Sequence, residues 1–397
     1  MTSTDTQFTY EVPPEIASPS GQMNPYPFFA KMRRTSPIRY DEERESYDCY
    51  LYEDVVDLMS DHERFTRVGT SFFPNSMAGS APPEHTKIRG MAEEYFTPGA
   101  VNEHRPEFET LAEELLDEAL AGSDHIDFVA DIAKPFPITI IARLLGVPPG
   151  QMDTFREWSL ALAEAPTEFT SEAIQKNYQR RVTVTDEMEE FFEDLLEERE
   201  QNPQDDLMTK FLKAEDQVDM LTRDHTIATC NQLLLAGNIT TTTLLTNAVW
   251  TFDEEGIVDA FREDTLSLQP AIEEVLRYRS PVMRVKRNVT MDTKLGGQQL
   301  TEGDRVLGWI SSAHRDEERF NAPDEFRPDR SPSSQPVAFG KGIHFCLGAP
   351  LARLEAEIML DQFFDRIEDL SIVDTELDPF FSAEIFGPME LPLSVST

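Results

Sequence analysis

Residues Phe339-Gly340-Lys341-Gly342-Ile343-His344-Phe345-Cys346-Leu347-Gly348 set one cysteine behind two glycines and before a third. The chain then runs into Ala349-Pro350-Leu351-Ala352-Arg353-Leu354-Glu355-Ala356, which reads as a helix. Glycines let a loop fold tightly beneath a flat group, and a helix N-terminus beside a sulfur favours thiolate over thiol. A thiolate held that way, with the Phe339 ring nearby, suits a haem iron, toward which it pushes electron density and so favours O–O cleavage. The bland alternative is a buried structural cysteine in a glycine-rich turn, since free cysteine is among the most buried residue types.

From Phe339 to Arg353 the chain follows F-G-x-G-x-H-x-C-x-G-x-x-L-A-R. This pattern resembles the haem-binding signature of the cytochrome P450 family, and the resemblance extends over nearly the whole chain from about residue 24. It implies a mainly α protein with small β-sheets and a single haem-binding domain over residues 21–397, after a disordered polar tail over 1–20. It further implies heme b as cofactor, Cys346 as the ligand to its iron, and Phe339 and Gly340 as part of the loop beneath it.

The same resemblance covers other segments. Glu274-Val275-Leu276-Arg277 places opposite charges three residues apart on one helical face, where a solvated pair would contribute little. With Phe326-Arg327-Pro328-Asp329-Arg330 further on, it matches the family's E-x-x-R and F-x-P-x-R segments, which implies a buried network of Glu274, Arg277 and Arg330. His85 and Arg89 lie four apart after two prolines and point the same way if helical. By resemblance they hold a haem propionate, together with His344 and Arg287. Arg284 and Lys286 sit beside Arg287, so the register there has three candidates.

Leu233-Leu234-Leu235-Ala236-Gly237-Asn238-Ile239-Thr240-Thr241-Thr242-Thr243 matches the family's A-G-x-(acid)-T segment. Small residues let a helix pass close over a porphyrin, and Thr240 falls where the family keeps a hydroxyl that serves oxygen and protons. Local bonding of a threonine to the carbonyl four residues back is the alternative. Isoleucine stands at the acidic position. Protons must then arrive through water past Thr240, or turnover with dioxygen is leaky, or peroxide is the oxidant.

Composition bounds the rest. Length and the lack of any linker or repeat favour one unit. Helical periodicity marks 105–121, 186–201, 224–250, 270–279 and 350–368, and strand-like pieces fall at 37–40, 47–51, 282–290, 305–309 and 390–396. No apolar run reaches 18 residues and the start has no signal-peptide core, so a cytoplasmic protein off the membrane is expected. Cys49, Cys230 and Cys346 form no C-x-x-C pair, which argues against a disulfide scaffold, a zinc site or an iron–sulfur cluster. Electrons are expected from a separate ferredoxin with its reductase, or from a flavodoxin-type donor.

The 74 acidic against 35 basic residues give a net charge of −39, which excludes nucleic-acid binding and points to a halophilic, salt-rich cytoplasm. The segment His314-Arg315-Asp316-Glu317-Glu318-Arg319-Phe320 is expected to present a solvated face. By the same resemblance the pocket walls would fall at 66–80, 160–183, 233–240, 281–284 and 382–387, and the apolar residues in them predict a hydrophobic small-molecule substrate. The functional expectation is a haem-thiolate monooxygenase, with a peroxide-driven peroxygenase and a non-catalytic haem-binding sensor as rivals.

Overall fold

The structure is a computed structural model that describes residues 12–122, 124–163, 170–331, 336–374, 376–380 and 382–396. Its helices run α1 Pro19–Met23, α2 Tyr26–Thr35, α3 Tyr52–Ser60, α4 Glu84–Ala92, α5 Pro98–Glu103, α6 Arg105–Ala119, α7 Pro135–Leu145, α8 Met152–Ala163, α9 Ser171–Gln201, α10 Leu207–Gln217, α11 Arg223–Glu254, α12 Val258–Arg262, α13 Leu268–Tyr278, α14 Ile310–Ala313 and α15 Ala349–Arg366. The strands are β1 Ile38–Asp41, β2 Ser46–Cys49, β3 Phe65–Thr66, β4 His125–Asp127, β5 Arg284–Val289, β6 Thr293–Leu295, β7 Gln298–Leu300, β8 Arg305–Trp309, β9 Asp369–Ile372 and β10 Pro392–Ser396.

Helices dominate, and α11 is the axis of the molecule. It packs against α7, α8, α9, α13 and α15, and Leu234, Leu245, Ala248, Val249 and Phe252 along it are fully buried. Beyond Thr240 the helix is buried on nearly every side, and its polar members Thr242, Thr246, Asn247 and Thr251 are accommodated there by donating to backbone carbonyls. The sheets lie to one side. Five strands stack in the order β1-β2-β8-β5-β3, with β2 and β8 parallel and the other pairs antiparallel. A second sheet runs β4-β10-β9, and β6 pairs with β7. One apolar cluster extends from Val12 to Val395.

Two expectations change. Residues 1–11 of the predicted tail lie outside the described residues, but 12–20 are packed structure. Val12 and Ile16 are buried and α1 begins at Pro19, because two apolar side chains dock on the core. The segment from His314 to Asp316 is buried, not solvated. Several of its polar groups are paired internally: the Val337 N–H donates to His314 Nε2 at 2.8 Å, and the Tyr52 N–H to Asp316 Oδ2 at 2.8 Å, while His314 Nδ1 and Arg315 Nε are buried without a partner. Arg315 donates to the Tyr278 carbonyl at 2.9 Å and meets Asp324 at 3.2 Å.

Candidate active site

The cysteine loop is shaped by backbone conformation. Gly340 and Gly342 take φ of +75° and +70°, which L side chains rarely adopt, and a Cβ on Gly342 would come within 2.9 Å of the Met59 carbonyl oxygen. The Cys346 N–H donates to the Phe339 carbonyl at 2.8 Å, closing the loop, and α15 starts three residues later. Cys346 is exposed, whereas Cys49 and Cys230 are buried. Though it keeps accessible surface, Cys346 sits deep among protein atoms, and this desolvation pushes its thiol up; the N–H groups of Gly348 and Ala349 and the charges of Arg89 and Arg353 pull the other way. The helix N-terminus therefore acts as expected but is outweighed for the free thiol; a coordinated metal would displace the proton outright. Arg353 lies over the Phe339 ring, 4.4 Å from its centroid, and pairs with Glu273 at 2.5 Å.

Beside this loop the structure gathers basic groups. The His85 and His344 rings meet edge-on with centroids 4.5 Å apart. Neither ring nitrogen of buried His85 has a partner. Arg89 donates to the Phe345 carbonyl at 2.9 Å and meets exposed Glu93 at 3.3 Å. The three candidates on β5 differ in their neighbours: Arg284 faces the Trp309 ring at 5.6 Å, Lys286 approaches Glu384 at 4.0 Å, and buried Arg287 lies with the histidine cluster, its charge acting on His344.

Burial lowers His85 to about 4, His344 to about 2 and Arg287 to about 9, and in each the cluster's own positive charges push further down. Arg67 is among those charges in all three. The sequence reading missed it. Its signal was positional: it directly follows β3, which pairs with β5.

Buried cations that repel one another, beside a histidine with both nitrogens unpartnered, fit the two carboxylates of a haem. So does α11 near the predicted oxygen site: a methyl on Gly237 would meet no atom nearer than Ile141 Cγ1 at 3.9 Å. Among the described residues no group of three or more His, Cys, Asp or Glu could hold a metal ion. The chain thus offers iron one sulfur, and a porphyrin would supply the remaining equatorial donors.

Of the four threonines, Thr241, Thr242 and Thr243 are buried, and Thr240 alone is partly accessible. The Thr240 hydroxyl donates to the Ala236 carbonyl at 2.7 Å, so the local bond is present, while its oxygen can still accept. Thr242 instead donates to the Ala133 carbonyl at 3.0 Å.

Below, Glu274 and Arg277 pair through two hydrogen bonds of 2.7 and 2.9 Å, and Arg330 reaches Glu274 at 2.8 Å. Arg277 also donates to the carbonyls of His314, Pro323 and Glu325 at 2.7–2.9 Å.

The expected apolar walls partly converge. Val282 bridges Ile385, and the Met283 N–H donates to the Glu384 carbonyl at 2.7 Å. Phe72 meets Tyr178 edge-on and lies under Arg181. Leu234, Met283 and Phe386 are ordinary core, and 164–169 lie outside the described residues. A cavity of about 510 Å³ lined by Tyr26, Trp250, Tyr278, Arg279 and Arg315 contains none of the predicted site residues.

A mainly helical single domain carrying one exposed cysteine on a glycine loop, flanked by carboxylate-seeking cations, defines a haem-thiolate protein. The comparisons agree. The Cytochrome P450 family profile matches residues 262–382. Cytochrome P450 109 of Bacillus spizizenii is 37% identical over 96% of this chain and 94% of its own, and the erythromycin C-12 hydroxylase of Saccharopolyspora erythraea 33% identical over 91% and 92%. The crystal structure of CYP109E1 from Bacillus megaterium in complex with testosterone superposes with a TM-score of 0.89 at 35% identity, covering 96% of this chain and 100% of that one. The chain belongs to the cytochrome P450 family. It is a haem-thiolate monooxygenase with heme b as its cofactor.

Proposed function

We propose that Cys346 is the axial ligand of the haem iron, that His85, Arg89, Arg287 and His344 hold its propionates, and that Phe339 and Gly340 form the floor beneath it. The observation that carries this is the cluster of buried basic groups beside the one exposed cysteine. When bound, the haem supplies oxygen activation. The chain's own part is to hold the group, exclude water and deliver protons. Thr240 is the proton-handling hydroxyl: it is the accessible member of its run, and its oxygen remains free to accept a hydrogen bond from water or oxygen.

The substrate is an apolar small molecule. Val282 and Ile385 are drawn together by the strand bridge, and Phe72 packs edge-on against Tyr178. The testosterone in the CYP109E1 complex is consistent with a ligand of that class. A ferredoxin with its reductase, or a flavodoxin-type protein, delivers the electrons. The enzyme works in a salt-rich cytoplasm; the charge of −39 supports the salt, and no described helix is long and apolar enough to cross a membrane. Ile239 favours a second reading in which peroxide replaces dioxygen and the electron donor, because that oxidant arrives with its protons.

The test is spectral. Wild type loaded with haem and reduced under carbon monoxide shows the red-shifted band of thiolate coordination, and Cys346→Ser, still red, lacks it. A wild type without that band ends the proposal. Apolar compounds that then shift the resting spectrum identify the substrate class.

A further inference from the structure

The sheet brings two arginines near each other. β3 pairs antiparallel with β5 through Phe65↔Val289 and Thr66↔Asn288, and Arg67 follows directly at the end of that ladder, near enough to Arg287 that the two positive charges repel. Like charges brought together across neighbouring strands are destabilising. Here the cost is compounded by burial, which lowers Arg67 and Arg287 alike. Among the described residues neither forms an ion pair, in a chain with 74 acidic side chains available. The Arg287 guanidinium donates only to the adjacent Lys286 carbonyl, at 2.9 Å. The one carboxylate whose charge Arg67 feels appreciably is Glu384, which is exposed and turned toward Lys286. The neighbours on β5 are accounted for, Arg284 against Trp309 and Lys286 toward Glu384. Two neighbouring arginines without an acid are the arrangement that a bidentate carboxylate would neutralise.

We propose that Arg67 and Arg287 form a clamp for a single carboxylate, with Arg67 a binding residue outside the sequence motifs. This extends the haem reading of the site and rests on it. Two sources can present that group: a haem propionate, or the acid head of a fatty-acid-like substrate. The clamp adjoins His344, two residues from Cys346, whose ring packs against His85 at 4.5 Å and is pushed down by the Arg67 charge, and this favours the propionate.

The experiment uses the full chain loaded with either haem or haem dimethyl ester, and measures haem loss to an excess of a haem-scavenging protein. For a propionate, Arg67→Gln loses haem on the order of tenfold faster than wild type, the loss of one charge-assisted contact. Arg67→Lys falls between, and with the diester the three proteins lose the group at equal rates. For a substrate acid, haem loss is unchanged, and Arg67→Gln weakens the spectral shift by dodecanoic acid about tenfold but leaves that by methyl dodecanoate intact. Equal behaviour of Arg67→Gln and wild type in both arms overturns the clamp while leaving the haem site standing. A wild type that fails to take up haem at all overturns both.

Discussion

Ile239 puts a branched hydrocarbon on the turn of α11 just before Thr240, where the family's pattern has an acid. Thr240 already spends its own proton on the Ala236 carbonyl, so the site has a hydroxyl but no adjacent group that can replenish it. Wild type is therefore expected to waste reducing equivalents, and Ile239→Glu to raise product formed per electron pair supplied several-fold. Measured coupling equal in the two proteins would show that water alone carries the protons. Which threonine matters was not legible in the sequence. All four can bond the carbonyl four residues back, and only burial separates them, sending Thr242 to Ala133 and leaving Thr240 accessible. Cys346, His85, Arg89 and His344 were nominated from a fixed spacing on a loop or a single helical turn, and the structure sets His85 against His344 and Arg89 on the Phe345 carbonyl. Arg67 was not, because its neighbour Arg287 lies across a strand pair 220 residues away, and register is a tertiary fact.

At the scale of elements, α13 and the chain around Arg330 are joined through ionic and backbone bonds that converge on Glu274 and Arg277. Removing one partner leaves a buried unpaired charge. Arg277→Ala is expected to lose about 3–5 kcal/mol and to be recovered colourless; a folded, red variant would contradict this.

Helix α15 carries a second stored cost. Glu355 is buried with Oε2 unpartnered, and burial alone raises its pKa well above 4.5. A raised folded value means that this carboxyl's stability is intact below the unfolded pKa and is lost as pH climbs past it. Glu355→Gln should match wild type near pH 4 and gain on it by about 1.4 kcal/mol per pH unit above that until the folded pKa is reached. Denaturant melts of the pair at several pH values check this, and parallel curves would refute it.

The strongest helices were visible from periodicity, α11, α13 and α15 within a few residues. The first half of α9 was not, because no residue before Val184 in it is buried and a face without an apolar stripe has no period to read. Nor was α7, where Pro135-Phe136-Pro137-Ile138-Thr139-Ile140-Ile141 is apolar on every side and β-branched. Such a run reads equally well as a buried strand.

For the whole molecule, charge sets the terms. Most of the described ion pairs have at least one exposed partner, such as Arg366–Asp117 and Arg262–Asp259, and exposed pairs contribute little individually. They leave the excess of negative charge uncompensated, so repulsion opposes compaction until salt screens it. The melting temperature is expected to rise steadily from dilute buffer to molar KCl, and one indifferent to KCl would end the salt-rich assignment. The fold class and the single domain were legible because the signature loop, the Glu274–Arg277 spacing and the α11 segment sit in one order along one chain. The burial of His314 to Asp316 was not. Its side chains are polar in sequence, and only the packing of α13 and α14 around them removes the water.

The three thiols also differ in what they meet. Cys49 and Cys230 are sealed in apolar surroundings that hold them protonated and inert, and Cys346 is the one open to solvent. Among the three, Cys346 is therefore the thiol that alkylating agents are expected to reach first. Damage during handling falls on that sulfur before the other two.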